Sequence, residues 1–144
     1  MYIRDVLRHK GGFVATVPPE VTLTELLAML TEHNVGALVV SRDGAAVLGI
    51  VSERDVVRRI AADGTGSLGE LVSDVMTADV MTATPDDSVE SVMRIMTDNR
   101  IRHVPVVVDD QLVGIISIGD VVKNRMDELE VERESLIGYI HTGG

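Results

Sequence analysis

GIVSERD, residues 49–55, returns as GIISIGD at residues 114–120. Each stretch begins with Gly, runs through two apolar residues to Ser, and reaches Asp three residues later. A pattern spelled twice directs attention to a longer repeat, and one is present. Val14 to Asp43 overlays Val80 to Asp109, pairing Thr16 with Thr82, Pro19 with Pro85, Thr31 with Thr97 and Val40 with Val106. The offset then drops by one residue, at Asp43-Gly44 against Asp109-Asp110, which is where a turn absorbs a length change. Beyond it Gly49, Ser52, Asp55 and Val57 fall on Gly114, Ser117, Asp120 and Val122.

Each copy has the same grammar. A short extended piece (VATV, VMTA) and a Pro-containing turn lead to a helix, started in the first copy by the Thr22–Glu25 capping box. Leu23, Leu26, Leu27 and Leu30, matched by Val89, Val92, Met93 and Met96, form the apolar stripe of an amphipathic helix. Two β-rich runs follow, ALVVS with VLGIVS and VPVVV with LVGIIS, parted by Asp and Gly turn residues, which predicts a hairpin. A second helix starts at about Glu53 in one copy and at about Ile118 in the other. The expected fold is α/β (α+β), a β-α-β-β-α unit made twice. ADGTGSLGELVSDVM reads as the linker, and its end, Val72 to Met76, echoes Ile3 to Leu7, which assigns the N-terminus to the first copy. The expected boundaries are 1–66 and 67–126 for the copies and 127–144 for an acidic C-terminal helix.

Composition narrows the function. A chain of 144 residues, 45% hydrophobic, supports one compact core, and copies of roughly 60 residues must pack on each other to cover their sheets. A net charge of −10 disfavours a nucleic-acid partner. No apolar run approaches the roughly 18 residues that span a bilayer, and MYIRDVLRHKGG lacks the apolar stretch of a secretory signal. With no cysteine as well, the expected location is the cytoplasm. Aromatics are confined to Tyr2, Phe13 and Tyr139, so stacking platforms for bases are nearly absent. His9, His33, His103 and His141 are scattered without metal-ligand spacing, and no nucleophile or phosphate-loop motif is found. The expectation is a binding protein without catalysis or metal.

Two β-α-β-β-α copies, each closing on Gly, two apolar residues, Ser, two residues and Asp, resemble the cystathionine-beta-synthase (CBS) domain pair, or Bateman module, over about residues 3–126. The resemblance implies a pseudo-twofold pair with adenine nucleotides in clefts between the copies. It assigns Asp55 and Asp120 to the ribose hydroxyls and places Ser52 and Ser117 toward ribose and phosphate, with Gly49 and Gly114 making room for the ligand. Adenine falls to Thr16 with Val17, Thr82 with Ala83, and the strand starts at Ala37, Val104 and Pro105. Two cationic clusters are available for phosphate: Arg54 with Arg58, and Arg100 with Arg102 and His103, of which the resemblance favours Arg102 and His103. Ser-x-x-Asp at a strand-to-helix junction is also a helix cap. The functional reading needs Asp, shorter than the Glu usual in such boxes, to reach outward while the helix N-terminus offers N–H groups to phosphate. Because SERD carries charge and SIGD has only its Asp, the second pocket is expected to be the roomier, with unequal ligands or affinities.

After Asp120, Val122, Met126, Leu129, Leu136 and Ile140 recur at helical spacing through the charged stretch DELEVERE (127–134), interrupted by Arg133. A helix of about 20 residues that forms a homodimer is expected, against the alternative that it folds back on its own core. The resulting expectation is a free-standing regulatory module that senses AMP first, with ADP, ATP or NAD(H) as other ligands, and acts on a separate, unknown protein. A redox sensor binding NAD(H) and a ligand-independent structural adaptor are the alternatives.

Overall fold

The computed structural model describes residues 1–11 and 14–143; Phe13 lies outside the described residues. The first copy runs β1 (Thr16–Val17), α2 (Leu23–His33), β2 (Ala37–Val40), β3 (Gly49–Ser52) and α3 (Glu53–Asp63), preceded by α1 (Ile3–Lys10). A 3-10 turn (Thr65–Gly69) and the short α4 (Val72–Val75) lead to the second copy: α5 (Val89–Asn99), β4 (His103–Val108), β5 (Gln111–Ser117) and α6 (Ile118–Gly143). β1 runs parallel to β2, which pairs antiparallel with β3. In the second copy β4 and β5 form the hairpin, and the counterpart of β1 shrinks to one parallel bridge, Ala83 to Val106.

The expected starts and stripes are present. Thr22 accepts the Glu25 backbone N–H at 3.2 Å and Glu25 accepts that of Thr22 at 3.3 Å, closing the capping box. Leu23, Leu26 and Leu30 enter one core, and Val89, Val92 and Met96 the other. Both helices end on a left-handed residue, Asn34 at φ 53° and Arg100 at φ 54°. The hairpins differ as the offset requires. Asp109 and Asp110, both at positive φ, make a two-residue turn, whereas Asp43 organises the longer loop by accepting the N–H groups of Ala45 and Ala46 at 2.9 Å. The first hairpin ladder therefore starts at Gly49, not at Val47.

The N-terminal helix leads the first copy along the chain but packs on the second. Ile3 and Val6 are buried with Val89, Val92, Met96 and Val104 of the second copy, while Val72 is buried with Leu23, Leu26 and Val51 of the first. The backbone repeats this crossing: Ile3 and Arg4 donate to the carbonyls of Asp87 and Pro85, and Val72 and Ser73 to those of Val21 and Pro19. Each half thus lends its leading helix to the other. The exchange ties two small cores into one body.

α6 extends past the body. Its Val121 and Asn124 are buried, Glu128 holds the N-terminal ammonium, and residues 129–141 are exposed throughout. The helix does not fold back on its own core.

Candidate functional site

Each Ser ends a strand and caps the helix that follows. Ser52 Oγ accepts the Asp55 N–H at 3.4 Å, while Asp55 Oδ2 accepts the Ser52 N–H at 2.8 Å and its hydroxyl at 3.1 Å. In the second copy Asp120 Oδ2 accepts the Ser117 N–H at 2.8 Å and Ser117 Oγ the Asp120 N–H at 3.2 Å. Both carboxylates therefore close their own helix starts through one oxygen, correcting for that oxygen the expectation that the shorter Asp is free to reach outward. The bonds fall on Oδ2 in both, which leaves Oδ1 as the atom each carboxylate can present to a ligand.

The motif glycines make room for protein as much as for any ligand. A Cβ on Gly49 would lie 2.7 Å from Met76 Sδ and 2.8 Å from the Thr77 carbonyl oxygen, and one on Gly114 would collide with the Leu7 side chain. These are the exchanged segments, and Ile50 completes the contact by hydrogen bonding Thr77 in both directions, at 3.0 and 2.9 Å.

Beside Ser52 and Asp55 opens a cleft of about 530 Å³ between the copies. The first copy supplies Gly36, Ala37, Ile50, Arg54 and Arg58; the second supplies Thr77, Asn99, Arg100, Ile101, Arg102 and His103. The two cationic clusters of the sequence thus line one cavity. None of Arg54, Arg58, Arg100 and Arg102 is in an ion pair among the described residues, whereas Arg4, Arg42, Arg59 and Arg125 each hold a carboxylate. In a chain this acidic, four guanidiniums outside any ion pair concentrate positive charge in one cleft, which the Glu53 and Asp55 carboxylates also line.

The adenine candidates divide. Ala37 lines the cleft, but Val17, Ala83 and Val104 are buried in the two cores, and Thr16, Thr82 and Pro105 do not line it either. Strand positions facing inward are taken by the core, and the backbone is committed too: Ala83 donates to the Pro105 carbonyl and accepts from Val107. In this arrangement these residues hold the strands that frame the cleft.

The second motif is closed by a residue the sequence analysis did not single out. Lys10, at the end of α1, donates to Asp120 Oδ2 at 2.7 Å and to the Ile115 carbonyl at 2.8 Å. Two smaller hollows, of about 210 and 280 Å³, flank it, the first against Gly114 and Ile115 and the second against Asp120 and Lys123. The second pocket is divided, not roomier. Burial pushes the Asp120 carboxyl up, but the Lys10 ammonium and the Ser117 backbone and hydroxyl donors outweigh it and hold it below the ordinary carboxylate range. Only the exchange of α1, invisible in one sequence, brings Lys10 here.

His103 stands between the two motifs. A Cβ on Gly36 would lie 3.6 Å from its ring, and Lys10, Asp120, Arg102 and Glu53 all act on its charge. Burial lowers its pKa first and Lys10 next; Asp120 opposes them, Arg102 adds a smaller lowering, and Glu53 raises it least. Among the described residues no cluster of three His, Asp or Glu side chains forms a metal site, and no helix is long and apolar enough to cross a membrane.

Comparison with known proteins agrees with the repeat and with the overall fold. The CBS domain pattern matches residues 3–62 and again 72–127. The mitochondrial CBS domain-containing protein CBSX3 of Arabidopsis thaliana is 40% identical over 149 residues, covering 98% of this chain and 72% of its own. The crystal structure of the CBS-domain containing protein ATU1752 from Agrobacterium tumefaciens superposes with a TM-score of 0.84 at 44% identity, over 87% of this chain and 99% of that one. The CBS domain pair of protein MJ0100, solved in complex with 5'-methylthioadenosine and S-adenosyl-L-methionine, superposes with a TM-score of 0.76 at 25% identity, over 85% and 98%. Two repeats, two cores and a cleft between them thus place the chain in the CBS domain family, as a CBS pair of the regulatory kind.

Proposed function

We propose that this CBS pair is a non-catalytic sensor that binds an adenosine phosphate, AMP first, in the cleft beside Ser52 and Asp55. The observation that carries the reading is the convergence of Arg54, Arg58, Arg100 and Arg102, none of them in an ion pair among the described residues, on one cavity of about 530 Å³. That volume lies within the range of small-molecule sites. The α3 N-terminus adds its dipole to the guanidiniums where a phosphate would sit, Asp55 Oδ1 would accept from ribose hydroxyls, and Ala37, Ile50 and Ile101 offer apolar walls to a base. That the MJ0100 pair was solved with adenosyl ligands supports the adenosine half of the proposal. ADP, ATP and NAD(H) share that half and are the competing ligands.

Binding alters how the two halves sit and how the module meets a separate regulated protein, in the cytoplasm and as a homodimer joined through α6. A structural adaptor is favoured by one observation, that both motif carboxylates are engaged in their own caps. Calorimetry separates the two. With AMP, ADP, ATP, NAD, NADH and adenosine titrated into wild type and into Arg54→Ala/Arg102→Ala, the sensor predicts AMP binding that adenosine does not match and that the double variant weakens at least tenfold. No heat with any nucleotide leaves the adaptor.

A further inference from the structure

The outer face of α6 carries a second, unused pattern. Val122, Met126, Leu129, Arg133, Leu136 and Ile140 follow one another at steps of four, three, four, three and four residues. That alternation is a 3.5-residue repeat, the spacing of a coiled-coil seam. At about 100° per residue Val122 and Met126 lie 100° or more around the helix from both Val121 and Asn124, which face the body, and the rest of the seam follows beyond the body, where it is turned to solvent. Met126, Leu136 and Ile140 are 63%, 64% and 67% exposed. From residue 129 to 141 the helix touches no core, and a lone helix of that length is marginal in water.

We infer that this seam is covered by the α6 of a second copy lying antiparallel, which gives the homodimer proposed above its register. Three features select this occupant. In a parallel pair Arg133 would face the partner's Arg133; in an antiparallel pair it faces the partner's Leu129, with Glu130 and Glu132 of either chain near enough to neutralise it. The antiparallel register then sets Val122 against the partner's Ile140 and Met126 against the partner's Leu136, so that every apolar seam position except Leu129 meets an apolar one. At the start of the seam lies a hollow of about 520 Å³, walled by Ile118, Val122 and Met126, with two cations, Arg102 and Lys123, against the one carboxylate of Asp127 at its edge. The end of the second helix enters this hollow, bringing its carbonyl terminus, the negative end of the helix dipole, toward those two cations. Because Arg102 also lines the nucleotide cleft, the dimer contact and the ligand share a side chain.

The chain has no cysteine, which makes the register directly readable. Val122→Cys and Ile140→Cys are prepared singly in the full chain, mixed and oxidised. The expected result is a cross-linked dimer in the mixture and none from either variant alone, together with a dimer for wild type by sedimentation at tens of micromolar and a monomer for Leu136→Glu. Self-cross-linking of Val122→Cys would overturn the antiparallel register. A monomeric wild type, a dimer unaffected by Leu136→Glu, or no cross-link in the mixture would overturn the seam itself. Leu136 lies on the free part of the helix, so AMP calorimetry on the Leu136→Glu monomer reports the sensor reading separately.

Discussion

Lys10 in one half does what the Thr77 backbone N–H does in the other. The Ile50 carbonyl accepts from Thr77 at 2.9 Å, whereas its counterpart, the Ile115 carbonyl, accepts from the Lys10 ammonium at 2.8 Å, and the same ammonium reaches Asp120 at 2.7 Å. The cause is the length of the exchanged helices. α4 stops at Val75 and lets Thr77 make a single antiparallel bridge to Ile50, while α1 continues to Lys10 and offers a side chain in place of backbone. The pseudo-twofold is therefore broken where each motif meets its cleft.

The first prediction follows from that break. A nucleotide entering the second motif must displace a charge-assisted bond, of a kind that contributes about 1.5–3 kcal/mol, so wild type binds one nucleotide per chain with high affinity, in the first cleft. Lys10→Met, which keeps the apolar stem and removes the ammonium, opens the second motif, and calorimetry reads two sites in place of one. Unchanged stoichiometry in this variant would show that something other than Lys10 closes the motif.

A second prediction concerns His103. Its pKa is held below the ordinary value by burial and by the neighbouring Lys10 and Arg102, so the folded protein keeps it neutral where the unfolded chain takes up a proton. The linked stability is complete above the unfolded value near 6.5 and is lost as the pH falls from there through the lower folded value. Thermal unfolding followed from pH 7.5 to 5 therefore shows a decline that His103→Gln flattens. If the two proteins decline in parallel, the loss comes from other groups.

A third prediction separates two roles for the motif glycines. If Gly49 serves only the ligand, Gly49→Ala lowers affinity and leaves stability alone. The short distances to Met76 and the rigid Thr77 carbonyl oxygen require the opposite, a loss of about 1–3 kcal/mol from overpacking. Gly114→Ala meets only the flexible Leu7 side chain and costs less. Urea unfolding of both variants checks the order.

What could be read in the sequence was whatever lies close along the chain. The repeat, the stripes Leu23-Leu26-Leu30 and Val89-Val92-Met96, the Thr22 cap and both hairpins are set by residues within a few positions of each other, and each is found. The exchange of α1 and α4 is not of this kind. Ile3 and Arg4 meet backbone more than 80 residues away, and the Lys10–Asp120 bond spans 110 residues. Ile3 to Leu7 reads as a companion of Val72 to Met76, and nothing in either stretch says which core it enters. The site was legible to the same degree. Ser52, Arg54, Asp55, Arg102 and His103 line the first cleft together with Ala37, because a motif and a hairpin start are local features. Val17, Ala83 and Val104 match the pattern equally well, yet the β period turns their side chains to the core, a facing that residue type alone does not decide.

Arg100 offers the sharpest test of what the first cleft is for. It caps α5 in the left-handed conformation at φ 54°, at the position where the first copy uses Asn34 at φ 53°. Asn tolerates that region well, but Arg does not, and its Cβ there costs about 1 kcal/mol. A strained residue persists where the surroundings or the function hold it, and here the guanidinium lines the cavity shared with Arg54, Arg58 and Arg102. Arg100→Asn therefore moves two measurements in opposite directions. Stability rises by about 0.5–1 kcal/mol as the strain is released. AMP affinity falls by about tenfold, the low end of a lost charged hydrogen bond at an exposed site, while whatever affinity adenosine has stays where it was. Thermal unfolding and calorimetry on the same preparation read both, and a variant that gains stability without losing AMP would show that Arg100 takes no part in holding the phosphate.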